Sequence, residues 1–233
     1  MTEAEWLRCG DPQKMIVYLR RQRRSGNARR WRLFACACCR RIGPLLDDER
    51  SRQAVEVAER YADGLASRAE REVAGRASGE VSAVRWRDGP VVAAHDAAGH
   101  AVATRVNAVA AADAASTARA VAVSTAATAS DADGWDEAIS KERQAQCDLL
   151  RCLFGNPFRP PPRIDPALRV RNDGTVKKLA EAIYQGRSFD RLPILADALE
   201  DAGCDDAALL GHLRAPGPHV KGCWALDLIL GKQ

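Results

Sequence analysis

An all-α fold is what the sequence predicts, on three observations. Apolar residues recur at three- and four-residue steps through most of the chain, as one face of a helix requires. Hydrophobic residues make up 46% of the chain but aromatics only 5%, so the core must be built mainly from Ala, Val and Leu, which suits close-packed helices better than a sheet sandwich. Strand-like runs of Val, Ile, Thr and Tyr are scarce. The expected organisation is a basic helical region over 1–90, an Ala-rich helical spacer over 91–134 and a compact helical module over 135–233.

Taken in order, helices are expected from Asp11 to Arg24 and from Ala28 to Ile42, with Ser25-Gly26-Asn27 as the turn between them. In the second, Trp31, Phe34, Ala35, Cys38 and Ile42 form an apolar stripe, Arg29, Arg32 and Arg40 fall on the opposite side, and Pro44 ends the run. The segment from Asp48 to Asp63 places Ala54, Val57, Ala58, Tyr61, Ala62 and Leu65 on one face, with Glu56 and Arg60 as an i,i+4 pair on the other. A short helix from Ala66 to Val73 follows, and the glycines between Gly75 and Pro90 read as a loop. About half of the residues from Val91 to Ala129 are alanine, which predicts one or two long helices, with a flexible low-complexity insert as the alternative.

A helix from Trp135 to Phe154 carries Ile139, Leu149, Leu150 and Leu153 inward and stops at Gly155-Asn156-Pro157. The proline-rich run from Pro157 to Pro162 reads as an extended strap and marks the best internal boundary. Three helices then follow with Thr175, Asp190 and Asp205 as caps and Gly186 and Gly203 past the ends of the first two. Their inward residues are Val176, Leu179, Ala180, Ile183 and Tyr184, then Leu192, Leu195 and Leu199, then Leu209, Leu210 and Leu213. Trp224, Leu228 and Ile229 suggest a last short helix before Gly231.

Three stretches, LFACACCRR from Leu33 to Arg41, GNPFRP from Gly155 to Pro160, and FDRLPILADALEDAGC with GPHVKGCWALDLILG between Phe189 and Gly231, resemble a paralogous family of uncharacterised planctomycete proteins. The resemblance covers both ends of the chain but not its middle. It implies that the ends form the folded unit, that the Ala-rich tract is a tolerant spacer, and no particular activity. Gly43 stands where the family pattern has Trp after Arg-Arg-Ile.

Composition excludes several classes. No apolar stretch approaches the ~20 residues of a membrane span, and the Met1-Thr2-Glu3-Ala4-Glu5 start is not a leader, so the cytoplasm is the expected compartment. Eight cysteines, three of them at Cys36, Cys38 and Cys39, suit reduced thiols or a metal site better than a secreted disulfide framework. The net charge of +4 is uneven: residues 1–44 hold eleven Lys or Arg against Glu3, Glu5 and Asp11. Arg20, Arg21, Arg23, Arg24, Arg29, Arg30, Arg32, Arg40 and Arg41, with Trp31 among them, could neutralise several phosphates of RNA or DNA.

Catalytic signatures are missing: the chain has no phosphate loop, GxGxxG, GxSxG or HExxH. His95 and His100 are five apart, about 140° around a helix, and are expected on the surface. Cys36 projects between Arg32 and Arg40, where positive charge would favour a reactive thiolate. Cys204, His212, His219 and Cys223 have the ligand types of a Cys2His2 zinc site at a spacing that matches no finger, so the reading expects no cofactor, with these residues as core and helix-end partners and zinc as the alternative. The favoured function is a non-catalytic protein-interaction or scaffold role with another protein as partner and no membrane. A basic nucleic-acid-binding accessory protein is the alternative, and a thiol-dependent enzyme using Cys36 the third.

Overall fold

The computed structural model describes residues 1–22, 28–84, 90–103, 111, 115–116, 118, 132–160, 162, 164–169 and 171–232. Among these the fold is all-α, with no strand. The helices are α1 (Glu3–Arg8), α2 (Pro12–Arg21), α3 (Ala28–Arg41), α4 (Glu49–Ala62), α5 (Arg68–Val84), α6 (Pro90–Val102), α7 (Ala132–Phe154), α8 (Arg171–Gly186), α9 (Leu192–Asp201), α10 (Ala207–Arg214) and α11 (Trp224–Leu230). No described helix is long and apolar enough to cross a membrane. The chain forms two compact units, Met1–Leu150 and Arg151–Gln233. The division falls inside α7, between the boundary expected at 134 and the proline-rich stretch.

In the N-terminal unit α3, α4, α5 and α6 pack on one another. Every residue of α3 from Trp31 to Cys39 is buried, which corrects the expectation of one apolar stripe and one polar face. The helix has neighbours on several sides, so its arginines must find partners inside the protein. Arg32, only 4% exposed, donates through Nη1 to the carbonyls of Ala101 (2.7 Å) and Ala103 (3.1 Å) and through Nη2 to Ala103 (3.1 Å). Arg71, also buried, donates to Val102 O at 2.7 Å. These carbonyls belong to the C-terminal end of α6, where the last turn has no intrahelical donors and the backbone dipole is negative. Both guanidinium groups also lie 5.0 Å from the Tyr61 ring centroid. Burial lowers the pKa of Arg32 from its ordinary value.

The loop expected over 75–90 is instead helical to Val84. The start signal is a reciprocal cap, in which Ser67 Oγ accepts from the Glu70 amide (3.1 Å) and Glu70 accepts from the Ser67 amide (2.7 Å). Burial of Arg71, Ser78 and Val81 then carries the helix through Gly75 and Gly79. His95 is fully buried rather than exposed, with Nε2 3.1 Å from Asp47, because α6 packs against α3, α4 and α5. Arg60, expected to pair with Glu56, reaches Glu70 at 3.2 Å. Leu65, expected on the apolar face of α4, is 56% exposed.

Of the Ala-rich tract, Ala94, Ala97, Ala98, Ala101, Ala111, Ala115 and Ala118 are all fully buried, so these positions contribute to the core rather than to a spacer. Gln146 of α7 donates to Ala115 O at 2.9 Å. The rest of the tract, 104–110 and most of 112–131, lies outside the described residues, as does the Ser25-Gly26-Asn27 turn.

The C-terminal unit packs α8 against α9 and α11, with α10 against α9 and α11. Its core joins Val176, Ile183 and Tyr184 to Leu192, Leu195, Leu199, Leu209, Leu213, Leu226 and Ile229. The expected inward residues are thus largely those buried, but two caps move. Asp190 lies in a 3-10 turn (Phe189–Arg191) that leads into α9, whose first turn is set by Pro193 without a side-chain cap. Asp206, not Asp205, caps α10 by accepting from the Leu209 amide at 2.8 Å. Thr175, expected as a cap, lies inside α8, which begins at Arg171, directly after Gly174 with its φ of 71°. Pro157 and Phe158 form a turn rather than an extended strap, because Asn156 Oδ1 accepts from the Phe158 amide at 3.0 Å.

Two outcomes follow. Replacing Arg32 with Ala leaves carbonyls of α6 buried without donors and is expected to cost about 2–3 kcal/mol in urea unfolding, far more than Arg20→Ala. Asp48 caps α4, and hydrogen bonds from the Arg50 side chain and amide hold its carboxyl down at about 2. Its contribution is therefore complete above the ordinary carboxylate range and lost as pH falls towards 2, so the stability difference between Asp48→Ala and the parent chain should shrink on acidification.

Candidate thiol and imidazole cluster

In the C-terminal unit, two cysteines and two histidines converge. Cys152 comes from the last turn of α7, His212 from the last turn of α10, His219 from the joint after it, and Cys223 from the residue preceding α11. One donor atom from each lies within 4.8 Å of every other. Both cysteines are buried and both histidines half-buried.

Local structure sets each group. Gly217 has φ 94°, and a Cβ there would meet the His219 amide nitrogen at 2.9 Å, so only glycine allows the chain to turn this tightly before His219. The Cys223 amide donates to Val220 O (2.9 Å), closing the turn that carries the thiol. His212 Nε2 is 3.2 Å from Cys223 Sγ. Its ring packs edge-on to His219 and tilted against Trp224, each at 5.0 Å between centroids. His219 Nε2 lies 2.9 Å from Ala215 O, whereas its Nδ1 is buried with no hydrogen-bond partner.

The electrostatics follow from this crowding. Burial alone would raise the Cys223 thiol, but the Cys152 thiol and the His212 and His219 imidazoles beside it outweigh that effect and hold Cys223 well below the ordinary thiol range. Cys152 moves the other way, because its proton is shared with Cys223 and its site is buried, although the Val220 amide partly offsets the shift. Burial disfavours the charged form of His219, yet Cys223 and the Ala215 carbonyl carry its pKa above the ordinary value. A cysteine thiolate beside histidine could serve as a nucleophile, but Cys223 is 0% exposed and offers a substrate no approach.

The sequence quartet is therefore corrected at one position. Cys204 is buried outside the cluster, its amide donating to Leu199 O in the turn that ends α9. Cys152 takes its place. Sixty residues separate Cys152 from His212, so no local spacing signals the pair. Cys36 is also corrected as a reactive thiol: it is fully buried, with Sγ 3.8 Å from Val55 O of α4. Burial, with Cys38 beside it, raises neighbouring Cys39.

The basic candidates divide. Arg29 bonds Asp63 (2.9 Å), Arg40 bonds Glu59 (2.7 Å), Arg41 bonds Glu142 (2.8 Å), and Arg32 is committed to α6. Arg30 is half-buried, Arg20 and Arg21 are exposed, and Arg23 and Arg24 lie outside the described residues. A feature missed by sequence reasoning is an open cleft of about 970 Å³ formed by α1 and α2, lined by Met1, Ala4, Val17 and Tyr18 with Arg8, Lys14 and Arg21 around it. Its signal, a short helix before Asp11, is hidden by shortness: α1 spans six residues and depends on the Thr2/Glu5 capping box.

No family model, curated protein or solved structure matches the chain.

Burial orders the thiols. Alkylation of the native chain followed by peptide mass mapping should modify half-buried Cys9 first and leave Cys36, Cys38 and Cys39 intact until unfolding. Selective early labelling of Cys36 would contradict this placement.

Proposed function

We propose that this chain is a non-catalytic protein-interaction or scaffold protein that docks an acidic, partly apolar segment of another protein in the α1–α2 cleft. The observation that carries the reading is the cleft's chemistry. Val17 is 41% and Met1 36% exposed at its wall, and Leu7, on the adjoining surface of α1, is 54% exposed. Apolar side chains gathered at one concave, polar-rimmed surface mark a candidate docking site, as scattered ones do not. Arg8, Lys14 and Arg21 outnumber the carboxylates of Glu5 and Asp11 in the lining, which favours an acidic segment by charge complementarity, and the open shape favours a peptide over an enclosed small molecule. The nucleic-acid alternative is weaker, because four of its nine arginines (Arg29, Arg32, Arg40 and Arg41) are spent on internal bonds. Burial of Cys36 removes the main support for a thiol enzyme. The reading places the protein in the cytoplasm, where its eight free thiols would persist.

Peptide-display selection on the full chain tests this. Enriched peptides should carry Asp or Glu beside apolar residues, and Val17→Asp or Lys14→Glu should weaken their binding at least tenfold while leaving the melting temperature unchanged. Absence of enrichment, or enrichment indifferent to both substitutions, would overturn the assignment. Oligonucleotide binding tighter than any selected peptide, with a steep salt dependence removed by Arg20→Gln and Arg21→Gln, would transfer the function to the alternative.

A further inference from the structure

We propose that Cys152, His212, His219 and Cys223 form a structural zinc site that closes the C-terminal unit. This inference is independent of the cleft, which lies in the other unit, and each can fail alone.

Four features support it. The donor set is two sulfurs and two imidazole nitrogens, the combination that selects tetrahedral zinc among common biological cations. The separations are close to what the ion needs: with Zn–S near 2.3 Å and Zn–N near 2.0–2.1 Å, tetrahedral ligand atoms lie roughly 3.3–3.8 Å apart. The His212–Cys223 pair is already at 3.2 Å, and the widest pair, no more than 4.8 Å, needs about 1 Å of contraction.

The orientation of His219 is the second-sphere arrangement of a metal ligand. One ring nitrogen is engaged by a backbone carbonyl, Ala215 O, and the other, Nδ1, is buried without a hydrogen-bond partner. A buried imidazole nitrogen left unpaired costs free energy that coordination would recover. Finally, the charge closes. Zinc binding to two thiols and two neutral imidazoles displaces the remaining thiol protons to solvent, and Zn²⁺ with two thiolates is neutral, as a buried cluster requires.

All four positions around the ion come from protein, so no coordination place is left for water or substrate. The site is thus structural and not a catalytic metal centre. Cys204, eight residues before His212, is outside it.

Metal analysis of the full chain purified without chelator should find about one zinc per chain, and its removal should lower the melting temperature reversibly. The metal-free chain titrated with Co²⁺ should develop thiolate-to-metal charge-transfer absorption and the intense visible bands of tetrahedral cobalt. Cys152→Ser and Cys223→Ser should each reduce the charge-transfer band by about half or abolish it, whereas Cys204→Ser should leave it unchanged. Since a Cys→Ser chain could fail to fold, His219→Cys provides a second arm: it retains a full ligand set and should bind Co²⁺ with a stronger charge-transfer band. No zinc together with no cobalt spectrum in the parent chain would overturn the proposal. So would a spectrum abolished by Cys204→Ser but kept by Cys152→Ser, or metal retained undiminished by every one of these variants, which would mark adventitious binding elsewhere.

Discussion

The C-terminal end of α6 is buried, and a buried helix end must be given donors. Three successive carbonyls, those of Ala101, Val102 and Ala103, receive guanidinium N–H groups from Arg32 and Arg71. This requirement shapes the N-terminal unit. It turns Arg32 inward, brings α5 alongside α6 so that Arg71 can reach, and places Tyr61 of α4 against both cations. Small side chains make the approach feasible, because the alanines of α6 leave room for helices to close on it. A larger apolar residue at Arg32 could fill the volume but not satisfy the oxygens.

Polar burial in the C-terminal unit is of another kind. Tyr184, fully buried as a residue, is flanked by the ammonium groups of Lys221 and Lys232 at 5.3 and 4.5 Å from its ring centroid. The thiol and imidazole groups instead face one another, and their mutual hydrogen bonds divide protons unequally between Cys152 and Cys223. Where the first unit neutralises backbone dipoles with fixed cations, the second gathers side chains whose protonation can change. That difference makes the second cluster, and not the arginine-rich segment, the place where an added ion would alter the balance of charge.

Periodicity carried much of the fold because most helices have one buried face. Leu192, Leu195 and Leu199, or Leu209 and Leu213, are inward for the reason their spacing implies. It failed where the environment was not two-sided. The spacing of α3 sets its arginines opposite the apolar stripe, yet Arg32 is buried, and the partners of Arg29, Arg40 and Arg41, namely Asp63, Glu59 and Glu142, come from distant sequence positions that no local pattern reveals. The glycines after Val73 suggest a loop, although the Ser67–Glu70 cap and the buried Arg71, Ser78 and Val81 sustain α5 through them. Three members of the cluster were legible, since His212, His219 and Cys223 are close in sequence. The fourth was not, because Cys152 reaches them only through tertiary folding, and Cys204 was the nearest thiol by number alone.

The order in which the cluster can assemble follows from its connectivity. Cys152 lies before α8, α9 and α10, while the other three groups lie at or after the end of α10. A ligand pair within one hairpin meets as soon as a turn forms, but these atoms meet only after a loop of some sixty residues has closed. Closing a loop of that length costs chain entropy that a hairpin pair does not. Any crosslink made there, by ion or by oxidation, would therefore take more freedom from the unfolded chain than one made within a single turn.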